Sequence, residues 1–281
     1  MIRLTDLSFG YRNQPLLFNG LNLSLETGHI YGLLGKNGSG KTTLLKNMVG
    51  LHYPKAGRAT IDGVDTAKRR PDLLSRIFFL PEEPYIPDHT AKAFLETTSP
   101  FYPTFDRELF NGYLAAFDVP ERRVLTKLSL GQQKKFMIAF ALACRTKLLV
   151  MDEPTNGLDI PSKAQFRKVL ASAVDEDCCI VLSTHQVRDL DNLIDSVIVL
   201  HDGTVKLQVQ LDQLTEQIRF GNVSGTAVAS ALYGEAAFDG THAILPNPER
   251  ISSKPDLELL FNAVVSDSGI LLNYLAKEEI R

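Results

Sequence analysis

From Ile2 to about Leu34, apolar and polar residues alternate in short runs, "IRLTDLSF", "LNLSLE" and "IYGLL", separated by Gly, Asn and Pro. A period of two bounded by turn formers predicts strands joined by tight turns, so the chain opens as a β-rich unit. The pattern then changes: "KTTLLKNMVG" has helical spacing and stops at Gly50, and "GRATIDG" returns to strand character. Across residues 83–143 the spacing is helical, and "FDRELFNGYLAAFDVP" places Phe105, Leu109, Tyr113 and Phe117 four apart, which predicts one apolar helix face. Three short, nearly continuous apolar runs follow, "KLLVMD", "CIVLSTH" and "SVIVLHDG", with helix-like segments between them. Such runs read as parallel strands buried on both faces. The expected fold is therefore α/β, with an antiparallel β-subdomain at the N-terminus and an inserted α-helical subdomain. Beyond about Gln208 the periodicities weaken, and only "PDLELLFNAVV" predicts a helix.

Composition narrows the picture. With 281 residues, 44% hydrophobic and 22% charged, the chain has the size and balance for one large or two small cores. No apolar run reaches the roughly 18 residues that span a bilayer, and "MIRLTDLSFGYR" lacks the pattern of a signal peptide. A cytoplasmic protein is expected. The three cysteines, two adjacent in "DCCIVLS", form neither a metal spacing nor a disulfide framework, so Cys178 and Cys179 read as packing residues. A net charge of -3, with only "AKRR" at 67–70 as a basic cluster, argues against a nucleic-acid partner.

The strongest chemical signal is "GKNGSGKT" at residues 35–42, which fits G-x-x-x-x-G-K-[ST] between an apolar strand and an amphipathic helix. Gly35, Asn37, Gly38 and Gly40 belong to a loop whose backbone N–H groups close around phosphate oxygens, and the following helix aims its positive end at them. Lys41 adds a point charge near the β- and γ-phosphates, Thr42 offers a hydroxyl to Mg2+, and Ser39 and Thr43 are further contacts. The expectation is a P-loop NTPase core binding ATP with Mg2+. Such a site needs a carboxylate at the end of a neighbouring strand, and "LLVMDE" supplies Asp152 for the metal side, followed at once by Glu153. Glu153 is placed to polarise the water that attacks the γ-phosphate. "STHQ" ends the next apolar run, so His185 should stand near the same strand tips.

These motifs, in this order, resemble the ATP-binding cassette ATPases, the nucleotide-binding subunits of ABC transporters. The resemblance covers residues 2–208, leaving 209–281 as a C-terminal accessory segment of unmatched role. It gives "LSLGQ" a meaning as the family's signature loop, usually L-S-G-G-Q. Ser129, the backbone of Gly131, and Gln132 would then act on the ATP held by another subunit's P-loop, with Leu130 standing in for the usual Gly. The resemblance also assigns Tyr11 to adenine stacking and Asp159 of "NGLD" to the loop that touches the opposite subunit. In "FFLPEEP" an acid replaces the family's lid glutamine; Glu82 is the natural register and Glu83 the other, and a carboxylate there would stand beside the metal.

What the resemblance implies is an ATPase that dimerises head to tail around two ATP molecules, with a second copy or a paralogous subunit. It would drive a separate transmembrane permease, as subunits of ABC-2 exporters do, from the inner face of the membrane. Two other readings compete: a cassette ATPase with soluble partners, as in metal-cluster assembly, and a nucleotide switch without turnover. An intact Glu153 argues against the switch.

Overall fold

The computed structural model describes residues 1–120, 123–190, 192–238, 240–266 and 269–278. Strands β1 (Ile2–Phe9) and β2 (Phe18–Leu25) pair antiparallel, with Ile2 opposite Leu25, Leu4 opposite Leu23 and Phe9 opposite Phe18. Alternation buries Ile2 and Leu4 on one strand and Leu23 and Leu25 on the other, and a register shift between Leu4 and Leu7 lets Leu7 and Phe9 be buried as well. With β3 (Ile30–Leu34) the chain leaves this sheet and enters a second. Helix α1 (Lys41–Met48) follows, then β4 (Ala56–Ile61) and β5 (Val64–Asp65) complete the first sheet in the order β2-β1-β4-β5. Gly50, at φ 73, ends α1 where the sequence placed the stop.

The turn between β4 and β5 ties the two sheets together. Asp62 accepts from the N-terminal ammonium at 2.9 Å, from Lys147 at 2.6 Å and from Arg76. Burial pushes its pKa up, but the hydrogen bonds from Lys147, the N-terminus and Arg76 outweigh that and hold it well below the usual carboxylate range. A depressed folded pKa gives stability that is complete above the ordinary value of 3.8 and is lost as pH falls through the folded value. Asp62→Asn is expected to cost about 1 kcal/mol at neutral pH, the scale of a partly exposed ion-pair network. Urea midpoints of both proteins from pH 7 to pH 3 check it: the difference should shrink only below the ordinary carboxylate pKa.

Helix α2 (Pro71–Leu74) leads to β6 (Ile77–Leu80), the edge of the second sheet. The inserted helices are α3 (Ala91–Thr98), α4 (Arg107–Ala116) and α5 (Leu130–Ala143). Phe94, Phe110, Phe136 and Phe140 meet edge to face at their centre, with Phe94 and Phe140 centroids 4.9 Å apart. The apolar face of α4 differs from the expected one. Its buried residues are Phe110, Tyr113 and Leu114, continued by Phe117, whereas Leu109 is 37% exposed and Phe105 precedes the helix. Residues four apart drift about 40° around a helix at each step, so a row of four cannot stay on one face.

Strands β7 (Leu148–Asp152) and β8 (Cys179–Thr184) are buried throughout, with α6 (Ile160–Ala173) between them, and β9 (Ser196–His201) is buried as far as Leu200. The second sheet runs β10-β9-β3-β8-β7-β6, parallel except for β10 (Thr204–Gln210). Cys178 and Cys179 pack in this region, and burial pushes the Cys178 thiol up to about 12. After β10 come α7 (Leu211–Gln217), a small antiparallel sheet of β11 (Ile218–Val223), β12 (Tyr233–Ala237) and β13 (Gly240–Pro246), and the helices α8 (Leu257–Val265) and α9 (Ile270–Glu278). Only α8 was legible there. The strands of this sheet bury few residues, so they carry no clean period of two. Leu257, Leu260 and Val264 nevertheless join the same apolar core as Phe136 and Phe140. Among the described residues no single helix is long and apolar enough to cross a membrane.

Candidate functional site

The site lies at the C-terminal ends of β3, β7 and β8, where an open parallel sheet offers a crevice. β3 delivers the chain into the loop 35–40. A side chain on Gly35 would put its Cβ 2.8 Å from the Leu200 carbonyl, so glycine is needed there. Gly38 and Gly40 have φ 81 and 102, the left-handed region that other residues resist. Gly40 is the N-cap of α1 and Lys41 its first residue. The Lys41 ammonium is buried and donates to the Gly35 carbonyl at 2.8 Å. Burial pushes its pKa down, while Glu153 and Asp152 pull it up. The Ser39 hydroxyl is buried without a hydrogen-bond partner, which suits a loop that receives phosphate oxygens.

The metal side is equally compact. Thr42 donates to Asp152 Oδ2 at 2.6 Å, and Ser183 donates to Asp152 Oδ1. A hydroxyl and a carboxylate brought together are hard oxygen donors, the kind Mg2+ takes, so these residues fit that ion. Glu153 follows at φ 46, and its N–H donates to the Ser183 carbonyl at 3.2 Å and to Ser183 Oγ at 3.1 Å. These bonds hold a left-handed residue that costs about 1–2 kcal/mol for a side chain other than glycine. The conformation brings Glu153 Oε1 to 2.9 Å from His185 Nδ1 and 3.7 Å from Lys41 Nζ. The histidine ring thus meets the carboxylate that the sequence paired it with.

Tyr11 is 43% exposed, and its hydroxyl lies 2.9 Å from Thr43 Oγ1. Tyr11, Asn37, Gly38, Lys41, Thr42 and Glu82 line one cavity of about 460 Å³ together with Glu153. Glu82 is oriented by Asn156, whose amide donates to it at 2.5 Å.

The signature residues and Asp159 lie outside this cavity. Ser129 is the N-cap of α5: its hydroxyl accepts from the Gln132 N–H at 3.3 Å, and the Gln132 side chain accepts from the Ser129 N–H at 3.2 Å. This reciprocal pair is a capping box. The helix begins at Leu130. A Cβ on Gly131 would meet nothing within 4 Å, so no contact inside the chain demands glycine there. Leu130 is 83% exposed, as is Ile160, the first residue of α6, whose N-cap is Asp159. Two participants escaped the sequence reading. Ser183 is a polar residue inside an apolar strand, directly opposite Asp152 in the register. Lys134 is a buried lysine near the start of α5, and its place in the polar stretch "GQQKKF" gives no sign of that burial.

Fold and site together define a P-loop ATPase. The sequence profile of the ABC transporter family matches residues 18–156. The chain is 30% identical over 219 residues to the ABC transporter ATP-binding protein YtrB of Bacillus subtilis (strain 168), covering 77% of this chain and 74% of that one. It is 29% identical over 223 residues to the SkfA peptide export ATP-binding protein SkfE of the same organism, covering 77% and 92%. A dimeric post-hydrolysis structure of the ATP-binding cassette MJ0796, bound to ADP and Pi, superposes with a TM-score of 0.65 at 25% identity, covering 75% of this chain and 99% of that one. The chain belongs to the ABC transporter family, as one of its ATP-binding subunits, and is an ATPase.

Proposed function

We propose that this chain is the ATPase of an exporter, working as a head-to-tail pair of cassettes at the inner face of a membrane and driving a separate permease subunit. The observation that carries the catalytic part is the convergence of Lys41, Glu153 and His185 at the ends of three strands, with Thr42 on Asp152 beside them. Lys41 and the N–H groups of the loop bind the β- and γ-phosphates. Thr42 and Asp152 hold Mg2+, with Glu82 alongside; when bound, the ion neutralises charge on the phosphates. Glu153 polarises the attacking water, and His185 fixes the carboxylate through the bond to Oε1. Tyr11 stacks on the adenine.

The second half of the site comes from the other copy. Ser129, Gly131 and Gln132 stand at the head of a helix where the Gln132 N–H is held by the Ser129 hydroxyl and the N–H groups of Leu130 and Gly131 have no helical partner, which makes an anion site, and the exposure of Ser129 and Leu130 leaves it open to a partner. Asp159 meets the same partner. Peptide export by SkfE, with the long C-terminal extension and Leu130, supports the exporter reading.

Lys41→Ala removes the buried charge from the phosphate cradle and is expected to weaken ATP binding by at least about tenfold, equivalent to one lost charged hydrogen bond. Titration with a fluorescent ATP analogue checks it, and an unchanged affinity rejects the cradle. For the permease, the tagged chain purified from detergent-solubilised membranes should bring down a polytopic protein that stimulates its ATPase. Recovery only as a soluble protein with no such companion rejects the transporter part.

A further inference from the structure

Lys134 carries a charge into the interior. It is buried on α5, and its ammonium donates to the Glu153 carbonyl at 2.9 Å and to the Asn156 carbonyl at 2.8 Å. Those carbonyls mark the two ends of one turn, closed by the Asn156 N–H donating to the Glu153 carbonyl at 3.1 Å. The turn therefore starts at the residue held at φ 46, and one side chain from the signature helix grips both of its ends. From the same Asn156 the amide group donates to Glu82 Oε1, and Glu82 and Lys134 line a common cavity of about 440 Å³.

Two neutral carbonyls take two of the ammonium's three hydrogens and do nothing to balance its charge. Burying an uncompensated ion costs several kcal/mol. On the other side of the ledger, Glu82, Asp152 and Glu153 gather negative charge where a triphosphate must also bind. Burial pushes the Lys134 pKa down, and Glu82 is the strongest influence pulling it back up.

We propose that Lys134 is a positioning residue for Glu153 and the counter-charge that allows a carboxylate to stand at position 82. It clamps the turn so that the Glu153 carboxylate stays between His185 and Lys41, and it offsets the acid that replaces the family's glutamine. The inference rests on Glu153 being the residue that polarises water.

The test is a double-mutant cycle on ATPase activity of the full chain in its assembled complex, using Lys134→Met, Glu82→Gln and both together. Lys134→Met should lower kcat by at least about thirtyfold while KM for ATP stays within about threefold, because the phosphate loop is untouched. In the Glu82→Gln background the same substitution should cost at least about fivefold less, since no acid is left uncompensated. Lys134→Arg, which keeps charge and donors, should retain more activity than Lys134→Met. If Lys134→Met does not fold, as judged by its melting, the cycle runs on Lys134→Gln with the same expectations. A kcat within about threefold of the parent, or an equal loss in both backgrounds, overturns the proposal. Glu153→Gln run in parallel separates the two readings: near-parent turnover by that variant defeats the role of Glu153 itself, whereas its inactivity beside a fully active Lys134→Met defeats only the inference on Lys134.

Discussion

Glu153→Gln should bind ATP at least as tightly as the parent chain and turn it over at least about a hundredfold more slowly. The glutamine keeps the length and planarity of the side chain, and its carbonyl oxygen can still accept from His185 Nδ1, which lies 2.9 Å from Oε1. What disappears is the negative charge that polarises water, and with it a carboxylate 3.7 Å from the Lys41 ammonium. Removing that acid also frees Lys41 for the phosphates, so binding has no reason to weaken. The left-handed backbone at this position costs glutamine about what it costs glutamate, and the hydrogen bonds from its N–H to Ser183 are unchanged. Phosphate release by the assembled complex, alongside titration with a fluorescent ATP analogue, measures both halves. Near-normal hydrolysis rejects the role, and a matching loss of affinity points to a disturbed fold.

How the sequence leads to this site differs from part to part. The loop 35–42 was legible because its constraints are local: glycines at φ 81 and 102 and a lysine opening a helix follow from neighbours a few positions away. Asp152 was legible because a buried parallel strand is a continuous apolar run and the acid ends it. Ser183 was hidden because its role depends on pairing between β7 and β8, whose register puts it opposite Asp152 from thirty-one positions along the chain. Lys134 was hidden for a related reason, since its partners are carbonyls, which no residue pattern displays. The Leu109 position shows the reverse error, where a spacing of four was read as a face although the helix turns past it. Local backbone demands and burial runs appear in a sequence; pairing between distant strands and bonds to the main chain do not.

In the Glu153→Gln background, where nucleotide-bound dimers should persist, adding Ser129→Arg should abolish the ATP-dependent dimer and with it turnover in the otherwise native chain. The proposed partner of Ser129 is a γ-phosphate on another molecule, and an arginine at the head of α5 fills the space meant for it. The chain's own phosphate loop is untouched, because Ser129 lies outside the cavity that Lys41 lines. The structure adds a complication. Ser129 also caps α5 through its hydroxyl and the Gln132 N–H, and losing such a cap costs about 1 kcal/mol of stability. That cost is small against folding as a whole but large enough to confuse a single activity assay. ATP affinity and melting of the monomer therefore need to be measured first. A monomer that binds ATP as the parent does and melts within a few degrees of it, about what one lost cap removes, rules out unfolding as the cause. Sedimentation with ATP then decides. If the dimer persists with arginine at the position, the capping box is all that "LSLGQ" provides, and the site is complete within one chain.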